Sequence, residues 1–344
     1  LLMTDGIKIS QWFMRLLLSV CLLMVWPVMA NQSIVIQNKD SQLTLGKQLR
    51  YFEDSSLEYV LADVLREEQQ GRRDWSQANA LFPNYGFSSS AYWVKLPFVS
   101  RSTQEQWILQ LNYPLMDEIE LYVPNEQGQY QQYLSGDSLA FSTRQLKDRS
   151  FAFPITLPTN TTRDIYLRLK SRDSMIISIS LLTPDVFHDN QRQEGFLFGM
   201  YYGAILIILL YNIYLFVILR DQNHIHYIMV LGCYAVIELS LNGVGSMYLW
   251  GEFPEVAKRI RPFAIVLLSL TSFILTKTFL QIPKIMLGRV NIDPFFTAFI
   301  IIALVGAWIF PFTFAIQLAM LTAFIAAPIM YGAGIYIWRH GNRL

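Results

Sequence analysis

Residues 196–219 read FLFGMYYGAILIILLYNIYLFVIL, a stretch of 24 residues without a charged side chain. At 1.5 Å per residue, a helix of that length extends about 36 Å, which is enough to cross the hydrocarbon core of a bilayer. Only 15% of the 344 residues are charged, whereas about a quarter is typical of soluble proteins. The sequence therefore predicts a membrane protein, with the lipid bilayer as its first partner.

Further apolar stretches follow this one. Residues 294–338 form a run of 45 residues without a charge, roughly twice the length that one span requires. Pro311 offers a turn in the middle of that run. The sequence predicts five spans, at residues 196–219, 227–250, 263–280, 294–310 and 312–338.

The N-terminal 30 residues are typical of a secretory signal peptide. Arg15 precedes the apolar run 16–25, and residues 28–30 resemble a cleavage site after Ala30. An uncleaved anchor is the alternative, although residues 16–30 are short for a span. Both readings export the chain from residue 31 onward.

Export of residue 31 onward sets the orientation of the spans. Five crossings that start outside put the C-terminus in the cytoplasm. The outer segment 251–261 carries Lys258, Arg259 and Arg261, against the usual excess of positive charge on the inner side. Cys233 is the one cysteine after residue 30, and such cysteine usage suits a bacterial periplasm and inner membrane.

Residues 31–190 show mostly the period-two pattern of strands. Ile119, Leu121 and Val123 alternate with polar or aromatic residues, and the same alternation recurs at 165–170 and 177–181. One helix is predicted where Ser55 and Glu58 form a capping box ahead of an apolar stripe. The fold class predicted is an all-β, jelly-roll-like sandwich followed by an α-helical transmembrane bundle.

Several function classes find no support in this sequence. Neither half has a basic patch with interleaved aromatics, so no nucleic acid partner is expected. The exported half lacks a nucleophile elbow, a metal-ligand cluster and a phosphate loop, so we expect no catalytic residue, metal or cofactor. Glu118 and Glu120 with Asp117 leave paired-carboxylate hydrolysis open, but solvated strand charges are the better interpretation.

The exported half does offer chemistry suited to a small polar ligand. Aromatic faces and arginine forks hold sugars or carboxylates. The candidate ligand-binding residues are Tyr92, Trp93, Tyr113, Asp117, Arg144 and Arg149. Most aromatic residues in a sandwich belong to its core, which is the competing interpretation for each of them.

Three polar residues fall within the predicted spans: Asn212, Glu238 and Asn242. A carboxyl group at that depth is costly and faces a protein interior or a water-filled cavity. These residues are candidate signalling positions, and hydrogen bonding between helices is the competing interpretation. Glu238 also keeps an ion-coupled transporter open as an alternative function.

Several motifs in order resemble one family. The segments are GFSSSAYWVK at 86–95, YPLMDEIELY at 113–122, RSFAFP at 149–154, GMYYG at 199–203 and LNG at 241–243. They are similar to the seven-transmembrane receptors with diverse intracellular signalling modules (7TMR-DISM) that carry a type 2 extracellular domain. The resemblance implies a periplasmic sandwich similar to carbohydrate-binding modules, seven helices, and a cytoplasmic output domain such as a diguanylate cyclase or histidine kinase.

The chain departs from that plan because it stops after the fifth predicted span. We interpret it as a C-terminally truncated fragment with a signal peptide at 1–30, a sandwich sensor domain at 31–190 and a helical domain at 196–338. The predicted function is a membrane-bound sensory receptor for an unknown small periplasmic ligand. A tethered glycan-processing enzyme is a further alternative, and a homodimer stays open because nothing in the sequence decides the oligomeric state.

Overall fold

The computed structural model describes residues 33–282, 285–287 and 290–340. The predicted signal peptide lies outside them. Residues 34–182 contain thirteen strands, in agreement with the predicted sandwich. Their bounds are β1 Ile34–Ile36, β2 Gln42–Thr44, β3 Arg50–Asp54, β4 Ser76–Gln77, β5 Asn84–Phe87, β6 Ala91–Ser100, β7 Gln106–Leu111, β8 Glu118–Pro124, β9 Tyr130–Ser135, β10 Phe151–Thr156, β11 Thr162–Lys170, β12 Ser174–Ile176 and β13 Ile179–Leu182.

Two sheets face each other. The larger has the order β4-β3-β6-β11-β8-β9, with β1 parallel to β6, and the smaller has the order β10-β7-β13-β2. All other pairs in these two sheets are antiparallel. The core between them includes Trp107, Phe151, Leu96 and Leu109, each at most 1% exposed. This core confirms the antiparallel sandwich.

A short helix, α1 (Leu61–Gln69), covers the outer face of the larger sheet. The predicted capping box is wrong. The N-cap of α1 is Val60, not Ser55, and it makes no side-chain capping hydrogen bond. In the turn before the helix, the Asp54 carboxylate accepts the backbone N–H of Leu57, and Ser56 Oγ accepts that of Glu58. These side-chain-to-backbone hydrogen bonds stabilise a turn at residues 54–58 instead of a helix, and α1 starts only after Val60.

The described part of the helical half contains five longer helices. They are α2 Pro184–Leu219, α3 Gln222–Leu241, α4 Pro254–Phe279, α5 Asp293–Ile309 and α6 Phe312–His340. A π-helical turn, Ser246–Trp250, lies between α3 and α4. A pair of two-residue strands, β14 Met286–Leu287 and β15 Val290–Asn291, lies between α4 and α5. Four of the described helices are long and apolar enough to cross a membrane. Helix α5, at 17 residues, is shorter, so five crossings stay a prediction.

Several helix bounds differ from the predicted spans. Helix α2 begins at Pro184, two residues after the last strand ends at Leu182, so about a third of it precedes the predicted span. Helix α4 begins at Pro254 and includes Lys258 and Arg261, which were expected in a loop. Both charged side chains are largely buried and lie against carboxylates of the sandwich.

Candidate functional site at the contact between sandwich and helices

Tyr92 and Trp93, two of the predicted ligand residues, lie inside the sandwich. Tyr92 points into the core between the sheets and stacks on Tyr85, with ring centroids 4.9 Å apart. Trp93 lies on the opposite face of β6, between the rings of Phe52 and Tyr122. Both are at most 4% exposed, so neither contributes to an open surface in this structure.

The other predicted residues, Tyr113, Asp117, Arg144 and Arg149, lie in loops at the end of the sandwich that faces the helices. Tyr113 is half-buried, and burial raises the pKa of its phenol to about 12. Arg144 is buried and donates to the backbone carbonyl of Asp148 at 2.8 Å. Burial lowers the pKa of Arg144 to about 10, which leaves it charged at neutral pH. Its partners brace its own loop.

A cluster of opposite charges connects these loops to the helices. Three aspartates come from sandwich loops and two cations from the first turns of α4. We term this set the polar junction: Asp117, Asp137, Asp173, Lys258 and Arg261.

Arg261 and Asp173 form the central ion pair of the polar junction. Their side chains are 7% and 13% exposed. Lys258 lies beside them and donates to Ser138 Oγ at 3.1 Å. Its Nζ is 4.0 Å from Asp117 Oδ1. A buried pair of this kind costs much to break, because one charge is then left in a poorly solvated place.

Asp117 is held in place mainly by its own domain. Its Oδ2 accepts the backbone N–H of Arg172 at 2.6 Å, and its Oδ1 accepts a guanidinium N–H of Arg172 at 3.1 Å. Gly136 passes so close that a Cβ there would lie 2.1 Å from the Asp117 carbonyl oxygen. The loops before β8 and after β9 are thus packed backbone to backbone.

The polar junction holds little free space. Asp117, Asp137, Asp173, Lys258 and Arg261 enclose a cavity of about 10 Å³, which is about the room that one water molecule needs. In this structure the polar junction is therefore a close contact between sandwich loops and α4, with room for about one water molecule.

Arg149 makes a second contact between the two halves. Its guanidinium donates to both carboxylate oxygens of Glu194 in α2, at 2.7 and 2.9 Å. It also reaches the Asn242 carbonyl at the end of α3, at 3.5 Å, and Asn112 Oδ1 at 3.3 Å. One sandwich arginine thus joins the sandwich to two helices.

A third contact involves the segment before α4. The Glu252 carboxylate accepts the backbone N–H of Ser142 at 2.9 Å and its hydroxyl at 2.8 Å. The backbone N–H of Phe141 donates to the Gly251 carbonyl at 2.9 Å. Together with the direct passage from β13 into α2, these contacts attach the sandwich to α2, α3 and α4.

The three intramembrane candidates have different surroundings. Asn212 donates to the Ile208 carbonyl at 2.9 Å, and its Oδ1 lies 3.3 Å from His224 Nδ1, which links α2 to α3. Glu238 is half-buried in α3. Asn242 was expected within the second span but follows the last residue of α3 and donates to the Tyr202 hydroxyl at 2.6 Å. The helix ends before it because Gly243, in a left-handed conformation, turns the chain toward the sandwich.

Comparison with known protein families gives two matches. Residues 46–183 match the family model described as 7TMR-DISM extracellular 2, and residues 194–344 match the model described as 7TM diverse intracellular signalling. The chain belongs to the 7TMR-DISM family. It is a membrane receptor protein with an extracellular domain at its N-terminal side. No curated protein matches the chain.

The two matched regions of this 7TMR-DISM chain meet within α2. The extracellular match ends at residue 183, one residue before the helix begins, and the membrane match starts ten residues into it. The segment between them carries Phe187, which packs on the smaller sheet beside Ile108 and Leu182. The helix that enters the membrane is therefore already attached to the sandwich.

No sequence pattern pointed to Asp137, Asp173, Glu194 or Glu252 as site residues. Their partners left a signal, because Lys258 and Arg261 stand in an outer segment where the positive-inside rule predicts few cations. The structure explains them as partners of sandwich carboxylates. Arg259, the third cation, donates to the Ala307 carbonyl at the C-terminal end of α5, at 3.4 Å.

Two aspartates of the polar junction should make stability depend on pH. Burial raises the pKa of Asp137 and of Asp173 above the ordinary 3.8. Because the pKa of each carboxyl group is raised in the folded state, its protonated form favours folding. The contribution of each group to the free energy of unfolding is therefore fully present below about pH 3.8 and is lost as the pH rises through the raised pKa. We expect Asp137→Asn to flatten the dependence of stability on pH above pH 4, measured by thermal unfolding in detergent.

Asp74→Asn serves as the control, because Asp74 is exposed. This control should retain the wild-type dependence on pH. A profile as steep in Asp137→Asn as in the wild type would contradict the expectation.

Proposed function

We propose that this chain is the sensing and membrane-transmitting part of a receptor. The sandwich binds a small extracytoplasmic ligand, and the polar junction passes the resulting displacement to the helices. A cytoplasmic output domain beyond the helices would read their arrangement, with the C-terminal end of α6 on the cytoplasmic side. The observation that carries the proposal is the buried ion pair between Asp173 and Arg261.

The kind of contact supports transmission. Domains joined by flexible linkers move independently by default, whereas here β13 passes into α2 through Thr183 alone. Buried charges whose partners come from two domains stabilise discrete arrangements, because intermediate positions leave a charge unpaired. A ligand that binds one arrangement better than another shifts the population of helix states.

A distance measurement tests this proposal. Spin labels at the ends of α2 and α4, through Arg220→Cys and Thr278→Cys in a chain with Cys21→Ser and Cys233→Ser, report the separation of the two helices in lipid nanodiscs. A panel of sugars and small carboxylic acids is screened for binding. We expect a compound that binds to change the separation of the two helices. Binding of such a compound without any change in the α2–α4 distance would contradict the proposed function.

A variant of the polar junction separates binding from transmission. Arg261→Met should leave the affinity for the compound within about twofold of wild type and abolish the change in distance. Arg259→Met is the matched control, since it removes a neighbouring cation that contacts α5 carbonyls and no sandwich carboxylate among the contacts described.

A further inference from the structure

Helix α1 lies over the larger sheet and places a carboxylate on it. Glu68 accepts hydrogen bonds from the Lys95 ammonium and, at 2.9 Å, from the Tyr166 hydroxyl. Lys95 is only 6% exposed, although it stands on the outer face of its strand. The carboxylate of Glu68 thus occupies a site built by a buried cation and a buried hydroxyl.

Lys95 and Arg168 each have a carboxylate partner on the sheet without Glu68. Lys95 is 2.7 Å from the Asp164 carboxylate, and Arg168 is 2.7 Å from that of Glu120. An ammonium has three N–H donors, so Lys95 can hold a second carboxylate beside Asp164. Glu68 is that second carboxylate, and another one could replace it at the same net charge.

Aromatic faces and unpartnered donors surround this position. The indole N–H groups of Trp75 and Trp93 and the Nε–H of Arg168 are buried and have no hydrogen-bond acceptor among the described residues. Buried donors usually have partners, and exceptions call for an explanation such as a site that another molecule completes. Rings of Phe52, Tyr122 and Tyr166 form part of the same cluster. Flat apolar faces with donors between them suit a ring that carries polar substituents.

Helix α1 is weakly attached for an element that covers such a face. Val64 is its only fully buried side chain, and its N-cap, Val60, makes no capping hydrogen bond. Leu57 before the helix has φ of 61°, and Gly71 after it has φ of 64°. A left-handed conformation at a leucine is costly. These two residues bound the segment that would move if α1 left the sheet.

We propose that the sheet face under α1 binds a small ring compound bearing a carboxylate, that α1 is the lid of this site, and that Glu68 fills the carboxylate position while the lid is closed. The inference rests on the proposed function, since it names the ligand class of the receptor. Lys95 and the Tyr166 hydroxyl bind the ligand carboxylate, and the Trp75 and Trp93 indoles donate to ring substituents. Displacement of α1 is the first structural consequence of binding.

Titration calorimetry of the full chain in nanodiscs tests the proposal with two probes, D-galacturonate and benzoate. Glu68→Ala removes the competing carboxylate, and we expect it to bind one of the probes about tenfold or more tightly than the wild type does. Glu68→Gln keeps the shape and removes the charge, so it should fall between them. Binding of galacturonate alone assigns a sugar acid, and binding of benzoate alone assigns an aryl acid.

Two further variants show whether the gain comes from this site. Lys95→Met, added to Glu68→Ala, should return the affinity to the wild-type level or below. Asp63→Ala removes another carboxylate of α1, one that pairs with the exposed Arg66, and should stay within about twofold of wild type.

The site proposal is overturned if folded Glu68→Ala, as judged by its melting temperature, binds neither probe more tightly than wild type. It is equally overturned if Lys95→Met leaves the gain intact. Failure of the proposed function looks different: a probe would bind through Lys95 while the α2–α4 distance stays unchanged.

Discussion

Replacement of Arg261 by Met should lower the free energy of unfolding by about 3–5 kcal/mol, the cost expected when one partner of a buried ion pair is removed. Asp173 would remain largely buried without its cation, next to Asp117 and Asp137. We expect the sandwich to separate from α4 as well. Thermal unfolding in detergent measures the first effect, and faster proteolysis of the loop that contains Asp173 measures the second.

The double variant Arg261→Met with Asp173→Asn tests whether the effect belongs to the pair. Removing both charges takes away the uncompensated carboxylate, so the double variant should recover a large part of the lost stability. Arg259→Met should leave proteolysis of the Asp173 loop at the wild-type rate. A double variant as unstable as the sum of its two single variants would show that the two charges do not act together.

Replacement of Gly243 by Ala should also disturb the attachment of the sandwich. Gly243 has φ of 79°, and a Cβ there would lie 2.7 Å from the Arg149 carbonyl oxygen and 2.8 Å from Pro114 Cβ. The conformation alone costs about 1–3 kcal/mol for a residue with a side chain, and the close contacts push the sandwich loop away from α3. We expect a lower melting temperature and a longer distance between labels on the sandwich and on α3.

Gly232→Ala is the matched control for this prediction. Gly232 lies within α3, and nothing is within 4 Å of its Cβ position. Alanine there should be neutral or stabilising by up to about 1 kcal/mol, because it has the higher helix propensity. Equal melting temperatures and label distances in Gly243→Ala and Gly232→Ala would contradict the close contact between the end of α3 and the sandwich.

These two variants act on different parts of one attachment. Arg261 contributes charge and Gly243 allows close contact, yet both hold sandwich loops against the outer ends of helices. The receptor proposal requires such an attachment, because a displacement under α1 reaches the membrane only through the sandwich and its loops. Loss of transmission without loss of ligand affinity in both variants would support a mechanical role.

Much of the secondary structure was predictable. The alternation at 119–123 and 165–170 predicted β8 and β11, whose strands pair with each other. The start of α1 was not predictable from Ser55 and Glu58, because the Asp54 carboxylate at the end of β3 accepts the backbone N–H of Leu57 and holds that segment in a turn. Which backbone group a serine or aspartate binds depends on where the preceding strand ends and how the chain turns after it.

The candidate site was predictable only in part. The sequence predicts Asp117, Arg144, Arg149 and Asn242 as ligand or signalling residues, and they lie together at the end of the sandwich that meets the helices. The aromatic character that makes Tyr92 and Trp93 candidate ligand residues also suits a core, and composition does not distinguish the two roles.

The sequence by itself determined that a strand-rich domain is followed by membrane helices. Period-two alternation and long uncharged runs report which surfaces avoid water, and that preference needs no knowledge of distant residues. Only the tertiary structure decided that Arg261 meets Asp173, which is 88 residues away, and that Glu68 lies on Lys95. A buried charge is stable only beside an opposite charge, and the docking of domains and elements, which no local pattern encodes, selects the partner.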